Sequence, residues 1–454
     1  MSSSLYRLAT FYFLFFASTL LAQDYDDFRA SPYFPKDTGL LFETLRERRE
    51  VSIAESPIAY DREAEEIFYQ RHRDLIRSIT HHEFIFHDSL QRYTEHLFNG
   101  LIQANGLAID PLIFINRSYV PNAQSMGNGI FVINLGLFQH LTTEAELAYA
   151  FCHELAHEDL HHSDRALKYY MEISSILGHH KKKRRKRKEQ KSEEEVKTVL
   201  YNLSRESRRD ELEADSLAML LLEQSIYAQS AAQTALYRLR DYHFFPLSDL
   251  DLPTYFKLDS FQFQEEWLAE EERMFGGSFG DNSASAKDRF FHPDSLASHP
   301  ALAKRLEMVE RLLSQRDDQN ERVNPPNLWR EQAGYEILES MLAEGFTAHA
   351  LIIGLSLIQH DPDNTYLQAK IARSLMDTYY SIQHNDFDQA VPSPNYFAEM
   401  QARQVVRMLR KMRPKDLVSM AYFYLKDKVA RSPHSSLLRS YLEESREIMK
   451  QINK

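Results

Sequence analysis

The sequence predicts an α+β protein that is mostly helical, with one small antiparallel sheet placed ahead of a long run of helices. Three observations carry this. The 454 residues include only 13 glycines and 16 prolines, roughly half the usual share, which excludes collagen-like and turn-dense all-β folds. Two short β-type runs, residues 112–116 (LIFIN) and 129–135 (GIFVINL), are separated by a polar, glycine-containing stretch that suits a turn. Elsewhere apolar residues recur at helical spacing, as Leu90, Tyr93, Leu97 and Leu101 do.

Composition limits the classes of function. With 43% hydrophobic and 26% charged residues, the chain can bury enough apolar surface to offset its conformational entropy, so global disorder is excluded. A length of 454 residues allows about three domain-sized units. The 54 Lys and Arg against 66 Asp and Glu leave a net charge of −12, which repels phosphate backbones; no nucleic-acid partner is expected. Cys152 is the single cysteine, so an internal disulfide and a Cys-rich metal site are both excluded. Any metal must therefore be held by histidines and carboxylates, and Cys152 reads as a core residue.

The order of elements follows from local signals. Residues 8–22 (LATFYFLFFASTLLA) form an apolar run after Arg7 and end at Ala22 before acidic text, the layout of a signal peptide over residues 1–22. Export to a periplasmic or envelope location is expected. An uncleaved anchor is the alternative, because Leu20 stands where a small residue is preferred. Residues 23–106 read as a helical lead-in and 107–315 as the central domain. Thr142-Thr143 before Glu144 and Glu146 marks a helix start.

Within that domain, residues 181–188 (KKKRRKRK) open a charged stretch, 181–195, that reads as a solvated loop. Contact with an anionic membrane surface is its second reading. Residues 244–300 are aromatic and loop-rich, with Gly276-Gly277, and read as an insertion or lid. Residues 325–454 read as a helical array. The segments around Pro362 and Pro433 are alike and lie about two 34-residue periods apart, and at these junctions the text resembles tetratricopeptide repeats. Docking of other proteins on these helices is the implied role.

Chemistry concentrates in His153-Glu154-Leu155-Ala156-His157. Two imidazoles four residues apart share a helix face and can bind one metal ion, with Glu154 beside them as the general base acting on water. A third ligand must come from elsewhere in the chain. Glu211 and Asp215 share a face of a later helical run; Glu211 is the expected ligand, and Asp215 the acceptor for the free N–H of a ligating histidine. One Zn2+ per chain is expected. His161 and His162 read as supporting or surface groups, and His81-His82 and His179-His180 as solvent-exposed pairs.

These segments together resemble the gluzincin metallopeptidases that include the CAAX-prenyl proteases and the HtpX-like proteases. The resemblance covers the HExxH helix at His153 to His157, an ExxxD helix at Glu211 to Asp215 preceded by Ser207-Arg208, and Asn122-Ala123 and Gly136-Leu137. It extends to His162, beyond the motif, and to an HPxxxxR signature at His299-Pro300 and Arg305. It implies a zincin-type metallopeptidase domain. It also implies that Gly129, Ile130, Phe131, Val132 and Ile133 form the sheet edge that pairs with an extended substrate, and that His299 or Arg305 steadies the oxyanion or fills the fourth metal position. The function expected is a zinc endopeptidase acting on unfolded or misassembled proteins in envelope quality control. The alternative is an envelope chaperone or scaffold that works through the helical array and carries a latent metal site.

Overall fold

The computed structural model describes residues 28, 30–32, 34–55, 62–169, 193–242, 244–247, 250–270, 302–315 and 322–452. The expected signal segment, the cationic run 181–188, the His179-His180 pair and His299 lie outside these residues.

In chain order the elements are α1 (Thr38–Glu55), α2 (Arg62–Thr80), β1 (Phe84–Ile85), α3 (Asp88–Asn105), β2 (Leu112–Asn116), β3 (Ala123–Gly127) and β4 (Ile130–Asn134). Then come α4 (Leu135–His140), α5 (Glu144–Asp159), α6 (Glu193–Glu223), α7 (Ala231–Arg240), α8 (Leu252–Tyr255) and α9 (Leu302–Ser314). The last seven are α10 (Arg330–Ala343), α11 (Thr347–Leu357), α12 (Thr365–Gln383), α13 (Phe387–Ala390), α14 (Met400–Lys411), α15 (Pro414–Arg431) and α16 (Ser436–Ile452). No helix among the described residues is long and apolar enough to cross a membrane.

Two compact units divide the chain. One comprises Ser31–Tyr242 with Ala284–Ala333, the other Met1–Ala30, His243–Ser283 and Gly334–Lys454. The lead-in therefore shares a unit with the expected metal domain. The described part of 244–300, expected as an insertion into that domain, instead belongs with the C-terminal helices.

In the first unit the described strands form a sheet in the order β1-β2-β4-β3. Two expectations are corrected by it. The LIFIN and GIFVINL runs pair parallel, from Leu112 with Ile130 to Asn116 with Asn134, rather than antiparallel. The polar stretch between them is no hairpin turn: it contains β3, which reverses the chain and pairs antiparallel with β4. β3 (AQSMG) lacks the β-branched residues that announce a strand, and so it leaves no signal in the sequence. The second correction concerns the edge. Ile130 to Ile133 lie in β4, bonded on both sides, and β3 takes the outer position expected of them.

The helix α5 forms the centre of this unit. Thr143 caps it, accepting the Glu146 N–H at 3.2 Å, while the Glu146 carboxylate returns to the Thr143 and Thr142 N–H groups at 3.2 and 2.6 Å. Every residue from Glu144 to Ala156 is buried, because the sheet, α3, α6 and α7 pack around the helix. Phe151 stacks on Phe98 with ring centres 4.5 Å apart, and Cys152 is a fully buried thiol whose pKa burial pushes up. Gly136, at the start of α4, lies so close to the chain that an added Cβ would meet the Tyr119 carbonyl oxygen at 2.0 Å.

In the second unit α11 packs on α12, α12 on α15 and α15 on α16. The segment from 244 joins them through the Ser356 hydroxyl, which donates to the Pro246 carbonyl at 2.9 Å, and through the Tyr255 and Tyr424 hydroxyls, 2.8 Å apart. His349 on α11 is enclosed by the rings of Phe244, Phe346, Tyr396 and Phe397.

Burial pushes the pKa of His349 from 6.5 down to about 3, so the folded ring stays neutral. The unfolded chain binds a proton here once the pH drops below 6.5 and the folded chain does not until about 3, so stability declines with acid across that window. At about pH 5 the loss amounts to about 2 kcal/mol, taking roughly 1.4 kcal/mol per pKa unit. His349→Leu is expected to flatten this decline in urea unfolding measured at about pH 7 and about pH 5. An equal decline in the variant would show that His349 is not its source.

Candidate metal centre

The centre is assembled from α5 and α6. The Nε2 atoms of His153 and His157 face each other at 3.0 Å across one helical turn. Glu211 reaches them from α6, its Oε2 3.4 Å from His153 Nε2 and its Oε1 3.5 Å from His157 Nε2. His153 and Glu211 are buried, and the His157 side chain is only 14% exposed. A tetrahedral ion bound at about 2.0 Å sets its ligand atoms about 3.3 Å apart, so this triangle is the size that zinc requires. Two imidazoles and one carboxylate are also a donor set that zinc accepts.

Charge fixes the triangle in place. Asp215, one turn beyond Glu211 and fully buried, places Oδ1 2.8 Å from His153 Nδ1 and accepts the Tyr149 hydroxyl at 2.9 Å. Arg305 arrives from α9 and donates Nε to Asp215 Oδ2 at 2.6 Å and Nη2 to Asp215 Oδ1 at 2.7 Å. Its Nη1 lies 3.1 Å from Glu211 Oε2. One guanidinium therefore holds both carboxylates. Burial alone would raise the Asp215 pKa, but Arg305 and His153 hold it far below the carboxylate range. For His153, burial and Arg305 both oppose a proton, yet Asp215 and Glu211 outweigh them and lift its pKa to about 9. A field that retains a proton on a buried ring attracts a metal cation in the same way.

His157 is oriented differently. Its Nδ1 lies 2.8 Å from Nδ1 of His162, a buried ring five residues on. With His157 Nε2 kept free for a cation, the proton of that contact belongs to His157 Nδ1, and His162 accepts. His162 then carries its own proton on Nε2, which faces Glu213 Oε2 at 3.6 Å and Asp210 Oδ1 at 3.9 Å. These three residues also cluster as donors, but Arg165 already bonds Asp210 and, at 2.9 Å, Glu213, and so supplies their positive charge. Neighbouring His161 points outward, its side chain 79% exposed.

Glu154 lies on the sheet side of α5, where its Oε2 accepts the Ser125 N–H of β3 at 2.7 Å. The structure thus brings together His153, Glu154, His157, Glu211, Asp215, His162 and Arg305. The Arg305 guanidinium pairs with Asp215 and Glu211, and its Nη2 also lies 3.4 Å from His153 Nε2, at the edge of the metal triangle. Tyr149, Glu158, Asp210, Glu213 and Arg165 escaped sequence reasoning. Of these only Glu158 had a usable signal: it stands four residues after Glu154 and so shares its helix face.

A buried HExxH helix under a small sheet, with a carboxylate supplied by a second helix, defines a metallopeptidase-type centre. In agreement, the model of Peptidase family M48 matches residues 88–313, which supports placing that segment in this family of metallopeptidases. No curated protein matches the chain.

Two outcomes are expected. Arg305→Met leaves Asp215 and Glu211 buried without their counter-charge, and breaking a buried pair costs about 3–5 kcal/mol. Urea unfolding in chelator should show that loss, and a smaller one with zinc present, because the ion restores positive charge. Separately, His162→Ala should weaken zinc binding about 10–100-fold by freeing the His157 ring, as read by competition with a chromogenic chelator. Unchanged affinity would remove His162 from the ligand support.

Proposed function

We propose that this chain is a zinc endopeptidase of the M48 pattern that cleaves peptide bonds in unfolded or misassembled polypeptide. The observation that carries the proposal is the zinc-sized triangle of His153, His157 and Glu211 with Glu154 beside it, against the outer strand β3. When bound, zinc supplies Lewis acidity to the scissile carbonyl and to a water molecule. Glu154 takes the proton of that water on a carboxylate oxygen as the water attacks, and passes it to the departing amine. Asp215, Arg305 and His162 keep the imidazoles in the tautomers that leave Nε2 free.

An extended substrate pairs with β3 through main-chain hydrogen bonds, which read backbone in preference to side chains and so suit unfolded clients. The apolar run at residues 8–22 supports export to the cell envelope, and the helices of the second unit offer a surface on which partner proteins dock. Quality control of misassembled envelope proteins fits these features together.

Glu154→Gln tests the mechanism. The variant is expected to bind one zinc yet lose casein-type cleavage by about 10²–10⁴-fold, because the ligands remain while the base is removed. Glu211→Ala is expected to lose zinc, by metal analysis, as well as activity. Binding of unfolded clients with no chelator-sensitive cleavage by the wild-type chain would favour the chaperone or scaffold reading instead.

A further inference from the structure

Glu158 follows the ligand His157 and stands one turn beyond Glu154 on the same helix. It is not part of the zinc triangle, yet both of its carboxylate oxygens are committed. Oε2 accepts the Ser125 hydroxyl at 2.6 Å, and Oε1 accepts the Gly129 N–H at 2.7 Å. Ser125 also gives its N–H to Glu154. Two carboxylates a turn apart on α5 therefore grip the outer strand and the turn that follows it.

That turn interrupts the regular pairing of the two strands. The β3–β4 register shifts between Ser125 and Gly127, and Gly127, Asn128 and Gly129 all have left-handed φ angles of 86°, 52° and 70°. Gly129 admits no side chain, since a Cβ would lie 2.4 Å from the Asp110 carbonyl oxygen. On its far side the turn is held by Arg48 of α1, which donates to the Asn128 and Asp110 carbonyls at 2.9 and 2.8 Å. On the metal side the corresponding anchor is Glu158. Charge-assisted bonds of this kind are about twice as strong as neutral ones.

We propose that Glu158 is a positioning residue for substrate: by bonding Ser125 Oγ and the Gly129 N–H it sets the height of β3 over Glu154 and the zinc ligands. The proposal rests on the peptidase reading and adds to it the device that fixes the binding strand to the catalytic helix. A misplacement of about 1 Å in the strand that holds the substrate is enough to cost up to about 10²-fold in kcat/KM.

The test compares Glu158→Ala, Ser125→Ala and Glu158→Gln in the zinc-loaded full chain, with a fluorogenic unfolded peptide as substrate. Glu158→Ala and Ser125→Ala should each raise KM about tenfold or more with a smaller change in kcat, retain one zinc, and speed amide exchange at Gly127 and Gly129. Glu158→Gln should restore KM, because its carbonyl oxygen can still accept from Gly129 and its amide can donate to the Ser125 hydroxyl. A rise in KM in the glutamine variant equal to that in the alanine variant would mean that charge, not strand position, is at work, and would overturn the proposal. So would an unchanged KM in Glu158→Ala beside faster exchange. Wild-type cleavage abolished by chelator is the control for the function itself; its absence overturns the peptidase reading, whereas its presence with unaltered variants overturns only the role of Glu158.

Discussion

The centre depends on one buried guanidinium. Glu211 and Asp215 stand a turn apart on α6 in a water-poor interior, where two carboxylates repel each other and lose their solvation. Arg305 lies between them with nitrogens on each. Its single positive charge leaves the cluster net negative, and that surplus holds a proton on His153 and welcomes a metal cation. Removing the arginine would leave anions buried without compensation; removing one carboxylate would leave the cation unmatched. The ligand set is therefore a property of three helices, α5, α6 and α9, and not of the HExxH motif alone.

The helix α5 serves two faces of the centre, being buried from Glu144 to Ala156. One face presents His153 and His157 toward α6. The face toward the sheet presents Glu154 and Glu158 to β3. Geometry that would otherwise need two separate elements is set by one helical repeat, which ties Glu154, the His153–His157 pair and β3 to a single helix. The Thr143–Glu146 capping box and the stacking of Phe151 on Phe98 hold that helix in place.

Much of this was legible in the sequence where spacing alone decides the outcome. His153, His157 and Glu154 follow from helical periodicity, and the ExxxD spacing brings Glu211 and Asp215 to one face. Strand order was not legible. The weak β character of residues 123–127 hid a strand, and without it the two stronger runs looked like a hairpin; the edge position that the family resemblance implied for residues 129–133 falls to β3. The pairing of Arg305 was not legible either: a signature shows that an arginine is near the site but not that it bridges Asp215 and Glu211. The partnerships of Glu158 with Ser125 and Gly129, and of His162 with His157, depend on tertiary approach, and no local pattern encodes them.

The first unit is discontinuous: Ala284–Ala333 returns to it after the chain has passed through the other unit. During synthesis, the imidazoles and their acidic partners leave the ribosome long before the residue that balances their charge. A nascent chain that ends before Arg305 carries His153, His157, Glu211 and Asp215 but lacks the guanidinium that pairs with both carboxylates, which follows only when roughly two thirds of translation is complete. The residue that neutralises both carboxylates is thus the last part of the centre to be synthesised.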